Sequence, residues 1–507
     1  MNFFQLLHGA EILAQSGNPS VTGLEYDSRR VKPGDAFIAM RGEASDGNKF
    51  IDRAIAAGAV AIVSDSASET PREGVAWVQV PHGRRALARL SANFYKRPAE
   101  RIAITGITGT NGKSTTAFLL EAIFSAANRK SALIGTIEYH VAGKVLPAPH
   151  TTPEALDLNR ILAEALGNGA TEAVMEVSSH ALAQQRVYGI PFDVAVFTNL
   201  TRDHLDYHHS MEEYFAAKRI LFEGCGTDPP RVAVLNAEDE HGQKLAKISK
   251  KRGSEVLTYG LRSGDLHADK VDMTQRGTRF DLITPEEAVP IFSPLIGKVN
   301  VYNILAAAGA AYARACKRDA LAEGIASLAC VPGRFERVDC EQPFTVVVDY
   351  AHTDDALRNL TSLAREFVQR ARQKGRVLTV FGCGGDRDRA KRPLMGEAAG
   401  RGSDFVVLTS DNPRSEDPLA IINDAMVGLQ RSGTKYKVEA DRKTAIAMAI
   451  SEAGPGDIVL IAGKGHEKVQ VTREGSVPFD DAEVAHQILR DAGYNCESAN
   501  AAAGRNV

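Results

Sequence analysis

Residues 101–124 read Arg-Ile-Ala-Ile-Thr-Gly-Ile-Thr-Gly-Thr-Asn-Gly-Lys-Ser-Thr-Thr-Ala-Phe-Leu-Leu-Glu-Ala-Ile-Phe. The apolar run RIAIT predicts a short strand, and TAFLLEAIF predicts a helix. Between them lies a Gly-rich loop from Gly106 to Thr115. Glycines let backbone N–H groups curl around phosphate oxygens, and a helix N-terminus adds a favourable dipole. Lys113 can neutralise β- and γ-phosphates, and Ser114 can place a hydroxyl on Mg²⁺. The formal spacing GxxxxGK[ST] is not met: Ile107 stands where its first glycine belongs, and the glycines sit at 106 and 109. The order strand, loop, helix still points to a phosphate site.

The same theme recurs along the chain. EAVMEV, DVAVFTN, FTVVVDY, RVLTVFG, DFVVLTS and DIVLIAG are short apolar runs that end in polar or Gly-rich loops before helical patterns. Such alternation predicts α/β architecture with parallel sheets, whose ligands gather beyond the carboxyl ends of the strands. Two breaks divide the chain. RPAERIAITG, from Arg97, turns from a helical pattern into a strand, and CVPGRFERV, from Cys330, interrupts an Ala-rich helix with Pro332 and Gly333. Three domains are expected. Residues 1–98 form a smaller N-terminal α/β domain, 99–331 a central P-loop-type parallel sheet domain, and 332–507 a C-terminal Rossmann-like α/β domain.

Composition narrows the function. With 507 residues, 44% hydrophobic and 24% charged, the chain is an ordinary globular protein. Sixty basic against 63 acidic residues give a net charge of −3, which offers no hint of nucleic-acid binding. No apolar run approaches the ~18–20 residues that span a bilayer. The first residues, MNFFQLLHGAEILAQSG, carry no basic n-region before an apolar stretch, so a cytoplasmic address is expected. Six scattered cysteines without a CxxC pair are expected to be reduced thiols, with neither a disulfide framework nor a zinc site. The small polar tail ESANAAAGRNV is expected to fray.

Further strand ends carry metal-type residues. Glu176 closes EAVMEV and is followed by Ser178-Ser179-His180; DVAVFTN leads into Leu200-Thr201-Arg202-Asp203-His204-Leu205-Asp206. A carboxylate beside a phosphate loop suits Mg²⁺, which prefers oxygen ligands. Lys218 follows in the helical pattern MEEYFAAKRILF. Alone, such a histidine also reads as a structural residue and such a lysine as a solvated one.

Together, TGTNGKST, EVSSH, NLTRDHLDYH and Lys218 resemble the Mur ligases, ATP-dependent amide ligases that extend the cytoplasmic peptidoglycan peptide. The likeness covers nearly the whole chain. It implies an N-terminal domain that grips a UDP-sugar, a central domain that binds ATP, and a C-terminal domain that brings the amino acid. It places Gly109, Thr110, Asn111, Gly112, Lys113, Ser114 and Thr115 on the ATP phosphates. Asn303 would reach the adenine, with Arg334 and Asp349 also on the nucleotide. Ser114, Glu176 and His204 would serve two Mg²⁺ ions. Lys218 would carry a CO₂-derived carbamate, an anionic oxygen ligand where an ammonium would repel the metal. Lys113, Glu176, His204 and Lys218 are thus the expected catalytic set. Asp354 stands where the family usually has proline.

The resemblance also implies the substrates. Ser28 and the loop from Glu43 to Gly47 would contact the uridine nucleotide, although as sequence both pass for ordinary loops. Thr151, Thr152, Ser178, Gln184, Arg186 and His352 would contact the muramoyl-peptide or flank it; His150 stands where the family often has asparagine. Asp411-Asn412-Pro413-Arg414 resembles the signature of members that add meso-diaminopimelate to UDP-MurNAc-L-Ala-D-Glu. Arg414 can pair bidentately with the distal carboxylate, which lysine lacks. Asp411 and Asn412 can accept from the distal ammonium, and Arg387, Gly463 and Glu467 can complete the pocket. DNPR also reads as an Asn-Pro turn capped by arginine. GCGGDRD does not match the dinucleotide pattern GxGxxG. A ligase that adds L-lysine or another amine, and a P-loop ATPase without ligase activity, are the competing readings. A monomer is expected.

Overall fold

The structure, a computed structural model, describes residues 1–42, 45–274, 276–370 and 375–496. Glu43 and the tail 497–507, expected to touch uridine and to fray, lie outside the described residues. Three sheets organise the chain, with a separate two-stranded hairpin.

The N-terminal sheet has five strands in the order Ala14–Ser16, Ala76–Gln79, Ala61–Ser64, Asp35–Ala39, Gly23–Glu25. The last four run parallel, and Ala14–Ser16 joins antiparallel at the edge. Asp35–Ala39 and Ala61–Ser64 are buried throughout, as parallel strands covered on both faces must be.

The central sheet has eleven strands. The phosphate-loop strand, Ala103–Thr108, lies between Val194–Phe197 and Glu172–Glu176, parallel to both. The register pairs Ile107 with Glu176 and Thr108 with Phe197, so three carboxyl ends converge beside the loop. The parallel expectation holds only for the middle of this sheet. At one edge, Glu138–Val141 and Lys144–Pro147 form an antiparallel hairpin; at the other, Leu266–Thr274, Gly277–Ile283 and Ala288–Ser293 form an antiparallel meander. Ala288–Ser293 alternates exposed and covered residues, so it needs no second helix layer and no crossover. The hairpin turns on Ala142 and Gly143, both with positive φ, as a two-residue turn requires.

The C-terminal sheet has six strands in the order Glu336–Val338, Thr345–Asp349, Ile458–Ala462, Val377–Phe381, Phe405–Leu408, Lys435–Val438. All but Glu336–Val338 are parallel. The hairpin Val469–Thr472 with Gly475–Pro478 stands apart from this sheet.

One expectation fails outright. Cys340 and Cys496 are joined by a disulfide across 156 residues of sequence. The helix Asp481–Asp491 packs on the outer face of the sheet and brings the following segment back to Cys340, with Tyr494 edge-on to Phe344. A pairing made by tertiary packing leaves no local spacing to read. His486 Nδ1 lies 3.3 Å from Cys340 Sγ. Cys225, Cys316 and Cys383 are buried free thiols.

Candidate active site

The phosphate loop is shaped by two glycines. A Cβ on Gly109 (φ +148°) would meet Thr198 Oγ1 at 1.9 Å, and one on Gly112 (φ +88°) would meet Asn303 Oδ1 at 2.3 Å. Gly112 caps the helix Lys113–Ala126. Lys113 Nζ turns back to donate to Gly109 O at 3.0 Å and Thr110 O at 2.8 Å. Burial lowers its pKa. Thr198 Oγ1 donates to Asn111 O at 2.7 Å, and Asn111 N donates to Asn199 Oδ1 at 3.0 Å, so the next strand end braces the loop.

Glu176, His204 and Lys218 surround this loop. Glu176 is 1% exposed. Its Oε1 accepts from Thr136 N at 2.8 Å and its Oε2 from Thr136 Oγ1 at 3.0 Å, which fixes the carboxylate and leaves lone pairs free. His204 has left-handed backbone (φ 54°), and its ring stacks edge-on against His180 and Tyr214. Partial burial lowers its pKa, which favours the neutral imidazole that can ligate a metal. Lys218 is 1% exposed and donates from Nζ to Gly109 O at 2.8 Å, with the Tyr214 ring 4.5 Å away. Among the described residues no carboxylate pairs with it. Burial and the nearby Lys113 lower its pKa well below the usual lysine value. A buried amine whose pKa is lowered suits conversion to a carbamate, and the oxygens of Ser114 and Glu176 suit Mg²⁺.

A first cavity lies between the central and C-terminal sheets. Asn111, Ser114 and Asn303 line one side; Arg334, Asp349 and Tyr350 line the other. Arg334 donates to Ser114 Oγ at 3.3 Å and lies over the Tyr350 ring at 4.6 Å. Asp349 accepts from Phe335 N at 2.7 Å and Ala351 N at 2.8 Å; burial raises its pKa against the pull of Arg334. The cavity encloses about 130 Å³ and is open on one side.

A second cavity, of about 510 Å³, adjoins the first through Tyr350 and His352, which line both. Thr151, Thr152, Ser178, Gln184 and Arg186 meet here with His204. Thr152 Oγ1 donates to Glu176 O at 2.8 Å and accepts from Ser178 N at 3.1 Å. Arg186 donates to Thr152 O at 3.0 Å and pairs with Glu154, which Arg84 of the N-terminal body also reaches at 3.2 Å. Arg387, Asp411, Arg414, Gly463 and Glu467 close the opposite wall. Ser28, buried in the turn after Gly23–Glu25, is not among the lining residues, and neither is Pro413, whose carbonyl packs on Gly385.

The DNPR loop differs in detail from expectation. Asn412 lines the cavity, but its Oδ1 already accepts from Lys464 Nζ at 3.0 Å and Val471 N at 2.9 Å, and its Nδ2 donates to Glu467 Oε2 at 2.7 Å. The amide therefore braces the loop here and does not present a free acceptor. Arg414 has left-handed backbone (φ 52°), and its guanidinium donates to Gly385 O at 2.8 Å. Burial and the neighbouring Arg387 lower its pKa, so the site favours an added anion.

Family models match three consecutive parts of the chain. They are the Mur ligase family catalytic domain over residues 20–95, the Mur ligase middle domain over 107–311, and the Mur ligase glutamate ligase domain over 333–465. The chain belongs to the Mur ligase family. It is 56% identical, over 94% of both chains, to a UDP-N-acetylmuramoyl-L-alanyl-D-glutamate–2,6-diaminopimelate ligase of Solibacter usitatus. It is 44% identical to the ligase of the same name from Geobacter metallireducens, over 95% of this chain and 98% of that one. A solved structure of a ligase with that name superposes with a TM-score of 0.67 at 34% identity, covering 98% of this chain and all of the other. As a Mur ligase, the chain is an ATP-dependent, ADP-forming amide ligase.

Three residues of this Mur ligase were not expected at the site. Asp203, 6% exposed, sits 3.5 Å from His204, 3.7 Å from His352 and 3.9 Å from Lys391. Burial would raise its pKa, but these neighbours outweigh it and hold the carboxyl well below the usual range. His466 stacks on Tyr350 at 4.9 Å. Lys464 is fully buried behind the DNPR loop. Asp203 lies in the run Leu200 to Asp206, and Lys464 and His466 lie in Gly463-Lys464-Gly465-His466-Glu467; only their long-range partners mark them.

Proposed function

We infer that this Mur ligase joins the amine of meso-diaminopimelate to the D-Glu γ-carboxylate of UDP-MurNAc-L-Ala-D-Glu, with ATP cleaved to ADP and phosphate. The observation that carries this reading is the second cavity. One wall offers hydroxyls and Arg186, suited to a peptide acceptor, and the other offers Arg387, Arg414, Asp411 and Glu467, suited to a zwitterionic amine. The names of the close relatives agree. Domain limits at 98/99 and 331/332, a monomer and a cytoplasmic place belong to the same reading.

The γ-carboxylate would attack the γ-phosphorus of ATP, releasing ADP and forming an acyl phosphate. The amine would then attack the acyl carbon, and the tetrahedral intermediate would expel phosphate. Lys113 would leave Gly109 O and Thr110 O to follow the β- and γ-phosphates. Asn303 and Asp349 would hold the nucleoside, and Arg334 would move from Ser114 onto the phosphates. Ser114, Glu176, His204 and a Lys218 carbamate would hold two Mg²⁺ ions, whose positive charge lets two anions approach. Thr152, Ser178 and Arg186 would orient the acceptor carboxylate beside them. Arg414 and Arg387 would pair with the distal carboxylate, and Glu467 and Asp411 would accept from the distal ammonium. A lysine substrate would leave Arg414 unpaired, at a cost of about 1–3 kcal/mol.

The test is phosphate release with ATP, Mg²⁺ and UDP-MurNAc-L-Ala-D-Glu, using meso-diaminopimelate, L-lysine or no amine, with the product identified by mass spectrometry. Release with diaminopimelate alone supports the assignment. A preference for lysine keeps the ligase and overturns the reading of DNPR. Release without any amine favours a simple ATPase.

A further inference from the structure

We propose that Lys464 is a positioning residue for amine recognition, aiming the Glu467 carboxylate at the distal ammonium of the incoming amino acid. The proposal rests on the diaminopimelate reading and extends it to a residue that does not line the cavity.

Lys464 follows Gly463, the last turn out of the strand Ile458–Ala462, and its side chain is 0% exposed. Its ammonium has three N–H donors. They go to Asn412 Oδ1 at 3.0 Å, Glu467 Oε2 at 3.0 Å and Val469 O at 2.6 Å. These partners belong to three elements: the DNPR loop, the loop of Lys464 itself, and the first strand of the hairpin. Asn412 closes a triangle by donating to the same Glu467 oxygen at 2.7 Å.

Two donors thus hold Oε2 of Glu467. For Oε1 no hydrogen bond is found among the described residues, and Glu467 lines the cavity with Asp411 and Arg414. A carboxylate pinned by one oxygen presents the other in a fixed direction, which costs no reorganisation when an ammonium arrives. The hairpin locks the same loop from outside. Val471 N donates to Asn412 Oδ1 at 2.9 Å, Arg414 N donates to Val471 O at 3.0 Å, and Gln470 Nε2 donates to Asp411 O at 2.6 Å. Lys464 ties Asn412 and Glu467 to this hairpin through Val469 O. Removing it leaves Oε2 of Glu467 to Asn412 Nδ2 alone, loosening the carboxylate, while Arg414 keeps its carbonyl partner on Gly385.

Arg414 reads the distal carboxylate and Glu467 the distal ammonium, so a probe can separate them. Racemic 2-aminopimelate keeps the distal carboxylate and lacks the distal amine. In Lys464→Met, the advantage of diaminopimelate over 2-aminopimelate, taken as the ratio of kcat/KM values, should fall about tenfold or more, the worth of one charge-assisted bond. A ratio equal to wild type, with both amines slowed alike or neither slowed, overturns the proposal. If the methionine variant does not fold, Lys464→Gln is read by the same ratio with the same two outcomes. Wild-type protein that ligates neither amine overturns the substrate reading instead, so the two failures are distinct.

Discussion

The carboxylate of Asp203 lies 3.7 Å from Nε2 of His352, across the seam between the central and C-terminal sheets. The next residue, His204, faces the phosphate loop through Tyr214. The seam with the C-terminal body and the phosphate-loop side of the site are therefore joined by one peptide bond. Asn111 donates to Asp355 at 3.1 Å across the same seam, and Arg202 reaches Asp388 at 3.6 Å.

Asp203→Asn should keep the fold and lower kcat about tenfold to a hundredfold, because closure loses its buried anion. Steady-state kinetics give the rate. Small-angle scattering with ATP and acceptor should show a larger radius of gyration than for wild type.

Lys113→Ala should abolish ATP turnover, since its ammonium is seated on the loop carbonyls of both Gly109 and Thr110 where the phosphates would lie, and Arg334 reaches that loop only from the opposite wall. Lys218→Ala should lose ligation and regain part of it with short carboxylic acids, which restore an oxygen anion in the vacated space. Parallel assays of phosphate release with and without acetate or formate check both.

Arg414→Ala should raise KM for diaminopimelate about tenfold to a hundredfold and leave KM for ATP within about twofold. Varying one substrate at a time separates the two.

His140 makes a pH-dependent contribution to stability. Its burial alone would lower the pKa, but bonds to Glu121 at 2.8 Å and Glu138 at 2.9 Å outweigh this and push it up to about 9. The folded value exceeds the unfolded one, about 6.5. The stabilisation is therefore complete below about pH 6.5 and disappears as pH rises through about 9. Urea titrations at these two pH values should show wild type losing about 1–2 kcal/mol more than His140→Gln.

What was legible in the sequence was local. The loop 106–115 carries its strand, glycines, lysine and helix within one stretch, and the DNPR run lies wholly inside one loop. What was not legible depends on distance along the chain. Lys464 meets Asn412 52 residues away, and Cys340 meets Cys496 across 156. Asp203 finds its partners on another sheet. Asn412 shows the converse limit: its residue type suits ammonium binding, yet its neighbours have already taken the amide. The antiparallel edges of the central sheet lack the strand-to-helix alternation that marks its parallel middle in the sequence.

Tyr350 and His352 are a party wall between the first cavity, which would take the nucleotide, and the second, which would take the amine. Two occupants that each shift this wall would each change the hold on the other. By thermodynamic linkage, the factor by which bound nucleotide changes the hold on diaminopimelate equals the factor by which diaminopimelate changes the hold on nucleotide. A compound wedged against Tyr350 from either side would therefore be felt on the other.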